Sequence, residues 1–445
     1  MKAKKVIIPV ICLCIAVPSA VFFSGRESGG NVVNKLRHSL APKTISSKST
    51  DLTAGMSSRI NTAELPEDIY DEEFRLADNT FALELFKNEI SDSENVIISP
   101  YSAIQSLGML ANGADGDTLN EIQSAMGGMD IAKLNEYLCK WRTMPSNGET
   151  QFKTAASLWL IDNEELIKPV PEFLQTAVDH YAPQIFTTPF NKNTRNDINA
   201  WVNQNTDNYT SNALDEIDPD AVMYAVNTVE FDAKWDDEFL PGHTEEGTFT
   251  DHSGKEQKAD MMGEDEMYII EDDNATGFVK YYREERYAFA AILPDQGVSV
   301  EKYISGLTPE HFNELMAVSK IHMKDYQDGY TVSIPKFSYD RKTELSYSLK
   351  EMGIEKAFSD TEADFSRLSS AVNKPFLSRI LSSTYIQFGE KGTKAASASL
   401  AEGEVSAAFG MCNNRLVFDR PFVYAIIDTK ADVPVFLGTL MTIPE

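Results

Sequence analysis

The sequence predicts a single large α+β domain, and three observations carry that prediction. Apolar runs of strand length recur along the chain, at Thr154 to Ile161, Tyr287 to Leu293, Phe422 to Ile427 and Val433 to Leu440. Other stretches place apolar residues at helical spacing, as Phe74, Ala77, Phe81 and Leu85 do. Past residue 66 no Pro/Gly/Ser-rich linker separates two cores. Length alone would suggest roughly three domains, but one domain over 67–445 is the better reading.

The amino-terminal end carries Lys2, Lys4 and Lys5 and then an apolar run from Val6 to Val17 broken only by Pro9. Pro18-Ser19-Ala20 supplies small residues for cleavage, so residues 1–23 read as an export signal. Left uncleaved, a run of about 18 residues would serve as an anchor at the cell surface. Ile11 and Leu13, which precede Cys12 and Cys14, are too large for a lipoprotein signal. Residues 24–66 are polar and lack a period, which predicts a tether, with order starting near Asp68. With Cys12 and Cys14 removed, Cys139 and Cys412 are expected as free thiols. The chain has 40 basic and 68 acidic residues, a formal charge of −28. That excess argues against nucleic acid and anionic lipid as partners. Lys133, Lys140 and Arg142 are too few to form a patch for a heparin-type activator.

Order begins with the helix of Phe74, Ala77, Phe81 and Leu85, its stripe widened by Ala82 and Phe86. Asn95 to Ile98 is a short strand. Ser99 then caps a helix and Pro100 takes its first position, where a missing N–H does no harm. Ile104, Leu107 and Ala111 form its buried face and Gly113 stops it. Thr154 to Ile161 reads as a buried strand, followed by a helix around Pro171 to Tyr181 and another over Ile198 to Val202. Ala225 to Trp235 is the next strand; Trp235 alone would pass for core filler. Tyr287 to Leu293 is apolar at every position, as in a strand covered on both faces. Tyr330 to Tyr339 is a strand in which Pro335 marks an edge or a bulge. Leu345, Leu349 and Met352 outline a helix with Gly353 as its stop. Tyr385 to Gly389 is a strand, and Phe422 to Ile427 forms a hairpin with Val433 to Leu440.

The segment from Glu390 to Phe422 fits none of these patterns. It is long, rich in Ala, Ser and Gly, and lies between strands. Such a loop inside a compact domain is usually functional or disordered. Its composition alone also suits a flexible surface linker. Yet every second residue, Thr393, Ala395, Ser397, Ser399, Ala401, Gly403 and Val405, is small and uncharged, while Lys394, Leu400, Glu402 and Glu404 belong to the other set. As a strand, the first set could be buried with the charges left in solvent. Burying Lys394 would cost several kcal/mol or force its deprotonation. No Gly-x-Ser-x-Gly, His-Glu-x-x-His, Walker or Gly-x-Gly-x-x-Gly motif occurs. A secreted serine peptidase would need a triad assembled from scattered positions, which leaves it a remote alternative. No metal or cofactor is expected.

Glu390-Lys391-Gly392-Thr393, the small-residue run and the closing Arg420-Pro421-Phe422 resemble the reactive-centre loop of the serpins. Asn95-x-x-x-Ser99-Pro100-x-Ser102 followed by Gly113-Ala114-x-Gly116-x-Thr118 is similar to that family's central helix, and Ala225 to Trp235 to its central strand. The resemblance covers about 70–445. It implies the serpin fold: a large, mostly antiparallel central sheet, further sheets, surrounding helices and an exposed loop at 390–420. The member it points to is secreted, bacterial and inhibitory, and not an enzyme. The hinge would be Glu390, Gly392, Thr393, Ala395, Ser397 and Ser399. The region where the sheet opens would hold Ser99, Ser102, Asn227, Trp235, Lys336 and Ser382, with Lys336 paired to Glu390.

Counting seventeen residues from Glu390, the family's spacing, puts the reactive bond between Ser406 and Ala407, flanked by Val405 and Ala408. Counting back from Pro421 points instead to Gly410-Met411. The chain departs from the family at five positions. Asn208 and Ala233 stand where glycine is usual. Glu230 and Asp232 are unusual in the central strand and would lower stability. Ser382 replaces a histidine, so its hydroxyl is expected to reach Asn227 or Ser99 across a longer gap. The implied activity is that of a monomeric suicide-substrate inhibitor, which holds a secreted serine protease as a covalent acyl complex while the cut loop enters the sheet. Small residues at the bond imply elastase-like or subtilisin-like targets. The alternative is a non-inhibitory serpin acting as carrier or scaffold.

Overall fold

The run at Met223–Lys234 is buried at every position but Asp232 and Lys234 because it lies in the middle of a seven-stranded sheet. In the computed structural model, which describes residues 44–46, 48–65, 70–144, 150–207, 209, 213–394 and 410–444, that sheet has a fixed order. It runs Thr50–Asp51, Gln184–Thr188, Gln151–Ile161, Met223–Lys234, Gly392–Thr393, Arg379–Gly389 and Phe337–Glu344. Strand 223–234 pairs antiparallel with 151–161, Thr154 facing Val229. On its other side it pairs in parallel with 379–389, and Ser382 faces Asn227. Above that parallel stretch the two-residue strand Gly392–Thr393 sits between the two, antiparallel to each. The predicted signal, 1–23, and the loop positions Ala395, Ser397, Ser399, Val405, Ser406, Ala407 and Ala408 lie outside the described residues, as does Asn208.

Both faces of the sheet are covered, so even the polar Asn227, Thr228 and Glu230 of its central strand are buried. On one face Ala225, Val229 and Phe231 join the main core. Helix Pro100–Gly113 crosses that face, buried at every position but Asn112. Its cap forms as the sequence requires: Ser99 Oγ accepts from Ser102 N at 3.2 Å. On the other face Tyr224, Val226 and Leu381 cluster with Ile198, Trp201 and Val202 of helix Lys192–Asn205. A six-stranded sheet contains Tyr287–Pro294 and the hairpin Phe422–Asp428/Val433–Leu440, and a four-stranded sheet contains Tyr330–Pro335 and Asn414–Val417. Cys139 and Cys412 are buried free thiols.

Two expectations need correction. Pro335 marks neither an edge nor a bulge. Tyr330–Pro335 belongs to the four-stranded sheet and Phe337–Glu344 to the seven-stranded one, so the proline closes one strand just before the chain changes sheets. The tether reading also fails from residue 44 to residue 65. Thr50–Asp51 adds to the outer edge of the large sheet, and Leu52 N donates to Ile185 O at 2.7 Å. Ser46 N, Ser46 Oγ and Ser49 Oγ all donate to the buried Asp197 carboxylate, at 2.8, 2.6 and 2.6 Å. Arg59 grips Asp179 with its backbone N and two guanidinium nitrogens at 2.7 to 3.0 Å. The segment docks through polar atoms and one sheet edge, so a search for apolar periodicity passes over it.

Candidate functional site: the hinge and the seam below it

Glu390 ends strand 379–389 and is fixed from three directions. The Lys336 ammonium lies on its carboxylate. Thr244 Oγ1 donates to the same carboxylate at 3.2 Å, and Phe239 N donates to the Glu390 carbonyl at 2.9 Å. Burial alone would raise this carboxyl's pKa, but the bonds from Lys336 and Thr244 outweigh it and hold the group below its ordinary value. Trp235 is fully buried and does more than fill space. Its indole N–H donates to Gly389 O at 2.9 Å and its backbone N to Lys391 O at 3.0 Å. Its ring stacks on Tyr282, centroids 4.3 Å apart.

The next two residues are already inside the sheet. Gly392 faces Lys234 on one side and Gly389 on the other, and Thr393 faces Ala233 and Phe388. A Cβ on Gly392 would fall 2.0 Å from Ala233 O, and its φ of +148° suits only glycine. Thr393 is buried, its hydroxyl sharing a 2.5 Å hydrogen bond with the Tyr282 hydroxyl. The chain turns away at Lys394, whose φ is +59° while its N–H still donates to Gln387 O at 2.6 Å. Expected to keep its charge in solvent, Lys394 is instead 5% exposed, its ammonium on the Glu230 carboxylate. Asp207 lies 3.6 Å from the same ammonium and the Tyr209 ring centre 4.3 Å from it. Glu230 also takes Lys153 at 3.2 Å. The acid that looked misplaced in the central strand is therefore the partner of a hinge lysine.

Below the hinge, strands 223–234 and 379–389 meet directly along a seam, from Arg379 opposite Tyr224 to Thr384 opposite Val229. Asn227 is fully engaged there: its Oδ1 accepts from Ser102 Oγ at 3.1 Å and its Nδ2 donates to Ser106 Oγ at 3.3 Å. Ser99 Oγ donates elsewhere, to Val435 O at 2.8 Å. The expected bond from Ser382 to Asn227 or Ser99 is absent. A serine hydroxyl is short, and both partners are already satisfied. Ser382 Oγ, Ser383 Oγ and Thr228 Oγ1 are buried without a hydrogen bond among the described residues, all three on the seam. Past the loop, Gly410 N and Met411 N donate to Asp265 at 3.3 and 2.9 Å, and Asn414–Val417 pairs in parallel with Tyr330–Pro335. Of the residues singled out in the sequence, Lys336, Glu390 and Trp235 lie at the hinge, whereas Asn227 and Ser102 lie lower, on the seam. Sequence reasoning missed Tyr282, Tyr209, Asp207, Ser106 and Ser383, which carry no motif and are recruited only by folding.

Comparison with known proteins agrees with this geometry. Residues 76–443 match the family described as Serpin (serine protease inhibitor). An uncharacterized serpin-like protein of Methanosarcina acetivorans is 26% identical over 84% of this chain and 88% of its own length. Human Serpin B10 is 27% identical over 81% of this chain and 97% of its own. Among solved structures, the thermophilic serpin tengpin in its native state is 34% identical and superposes with a TM-score of 0.79, covering 89% of this chain and 100% of tengpin. Tengpin in its latent state superposes with a TM-score of 0.72.

Proposed function

This chain belongs to the serpin family, and from that premise we propose that it is a suicide-substrate inhibitor of secreted serine proteases. The observation that carries the reading is a strand begun and left unfinished. Residues 392–393 occupy the top of the slot between 223–234 and 379–389, and an inserted loop would extend their register without a shift. Each step down the loop assigns one residue on either side: Ala395 to Phe231 and Ile386, Ser397 to Val229 and Thr384, Ser399 to Asn227 and Ser382. Thr384 and Val229, and likewise Ser382 and Asn227, already face each other, so a new strand would widen the seam and keep its rows. The small set of the loop then points at the face covered by helix Pro100–Gly113. Ser399 would then bring a hydroxyl to the row where Ser382 has no hydrogen bond among the described residues.

The chemistry starts with the target. Its catalytic serine oxygen forms an ester with a loop carbonyl, at Ser406 by the hinge count, and the Ser406–Ala407 C–N bond breaks. The leaving amine of Ala407 takes a proton from the protease's own acid. With the loop cut, about fifteen residues are free to enter the sheet, a strand on the order of 50 Å long. Each ladder hydrogen bond adds roughly 0.5–1.5 kcal/mol, so the full strand contributes on the order of 10 kcal/mol. The esterified protease is carried along the sheet before water can release it. Valine, serine and alanine at the bond favour elastase-like or subtilisin-like targets.

The test mixes the protein with a panel of elastase-like, subtilisin-like and trypsin-like proteases and looks for a complex that survives boiling in SDS, with mass spectrometry of the released loop peptide to locate the bond. Wild type should form the complex with the first two classes. Thr393→Arg should be cut without forming it, because the buried site against Tyr282 has no room for a guanidinium. Absence of any complex, or equal inhibition by Thr393→Arg, would remove the inhibitory reading in favour of a carrier or scaffold.

A further inference from the structure

Lys394, Glu230, Lys153 and Asp207 form a closed ring of two cations and two carboxylates on the face of the large sheet away from helix Pro100–Gly113. Besides the Lys394 contacts given above, Lys153 lies 3.2 Å from Glu230 and 3.3 Å from Asp207. Glu230 is 3% exposed, in a strand whose neighbouring residues Val229 and Phe231 belong to the main core. Two residues further on, Asp232 carries a second carboxylate on the same face. Two acids on one face of a central strand have no packing role, which makes their positions informative.

Continuing the pairing of 392–393 places Lys394 between Gln387 and Asp232, and Ala396 between Tyr385 and Glu230. The Lys394 ammonium now lies on Glu230, beneath the Tyr209 ring that stacks on Tyr385 at 4.7 Å. It therefore occupies the row that Ala396 has to take. We infer that Lys394 is a positioning residue that sets the rate of loop insertion, parked on Glu230 while the loop is out and handed to Asp232 as the strand enters. The hand-over accompanies the swing of Lys394 from its left-handed φ of +59° to extended backbone. Lys153 stays behind on Glu230, so no buried carboxylate loses its last partner, which would otherwise make the step prohibitive. The inference rests on the inhibitory reading and names the residues that decide how often a cut molecule traps its protease instead of being released as product.

Two measurements on the full chain test it. One is the half-time in which uncleaved protein, warmed below its unfolding temperature, converts to a loop-inserted form on urea gels. The other is the number of inhibitor molecules consumed per elastase molecule trapped. Lys394→Met and Glu230→Gln should each shorten the half-time about tenfold, the rate equivalent of one buried charge-assisted pair, and should lower the consumption ratio. The double variant should be no faster than either single one, because both remove the same contact. Asp232→Asn should lower the melting temperature of the cleaved form and leave that of the intact form unchanged, which decides the matter even if the Glu230 variant folds poorly. Half-times within about twofold of wild type, with only the intact form destabilised, would make the ring structural and overturn the inference alone. A wild-type protein that neither converts nor gains stability on cleavage overturns the inhibitory reading along with it.

Discussion

Ser382 and Asn227 face each other across the seam yet differ in what they are bonded to. Asn227 holds Ser102 and Ser106, whereas the Ser382 hydroxyl is buried and makes no hydrogen bond among the described residues. Asn227→Ala should therefore cost about 1–3 kcal/mol, while Ser382→Ala should be neutral or stabilising by up to about 1 kcal/mol; urea denaturation of the two variants compares them directly. Asp78, in the helix Glu72–Glu89, is another buried group, both oxygens unbonded among the described residues, and burial pushes its carboxyl from 3.8 up to about 8. Its folded pKa is raised, so its favourable contribution is complete below pH ~4 and is lost as pH rises through about 8. Asp78→Asn should remove that slope and stabilise the fold at pH 8 by a few kcal/mol, with little change at pH 4. Equal effects at both pH values would mean that the carboxyl stays ionised in the fold.

The helices and strands that position the hinge were legible wherever a side-chain pattern reports burial. The Ser99-Pro100 cap, the stripe of Phe74, Phe81 and Leu85, and the run at Tyr287–Pro294 all formed where their chemistry places them. The segment 44–65 was not legible, because it is held by serine hydroxyls, an arginine fork and a two-residue strand, none of which has a period. Deleting residues up to 65 should uncover the Gln184–Thr188 edge, strip Asp179 of its Arg59 donors and strip Asp197 of its Ser46 and Ser49 donors. Melting temperature should fall by several degrees, and light scattering should show self-association through the free edge. A deletion variant that melts with the intact protein and stays monodisperse would show the segment to be decoration. Lys394 was misjudged for a related reason. A lysine in a small-residue run reads as solvent-facing, and only the fold reveals that Glu230 and Asp207 wait beneath it.

At the scale of the whole molecule, the proposed mechanism requires a large sheet that gains stability when the loop joins it. The seam is closed directly from residue 379 to residue 384, two hinge residues are already seated above it, and buried hydroxyls along it lack partners among the described residues. Under the proposed mechanism the fold is a kinetic trap, and its stability should rise when the loop is free to enter. The most direct measurement is the melting temperature before and after a single cut in the loop, by an elastase at a site fixed by mass spectrometry. Loop insertion predicts a rise of about ten degrees or more, since about 10 kcal/mol of new ladder is gained in a domain of this size. A cut protein that melts with the intact one would contradict the account at its root.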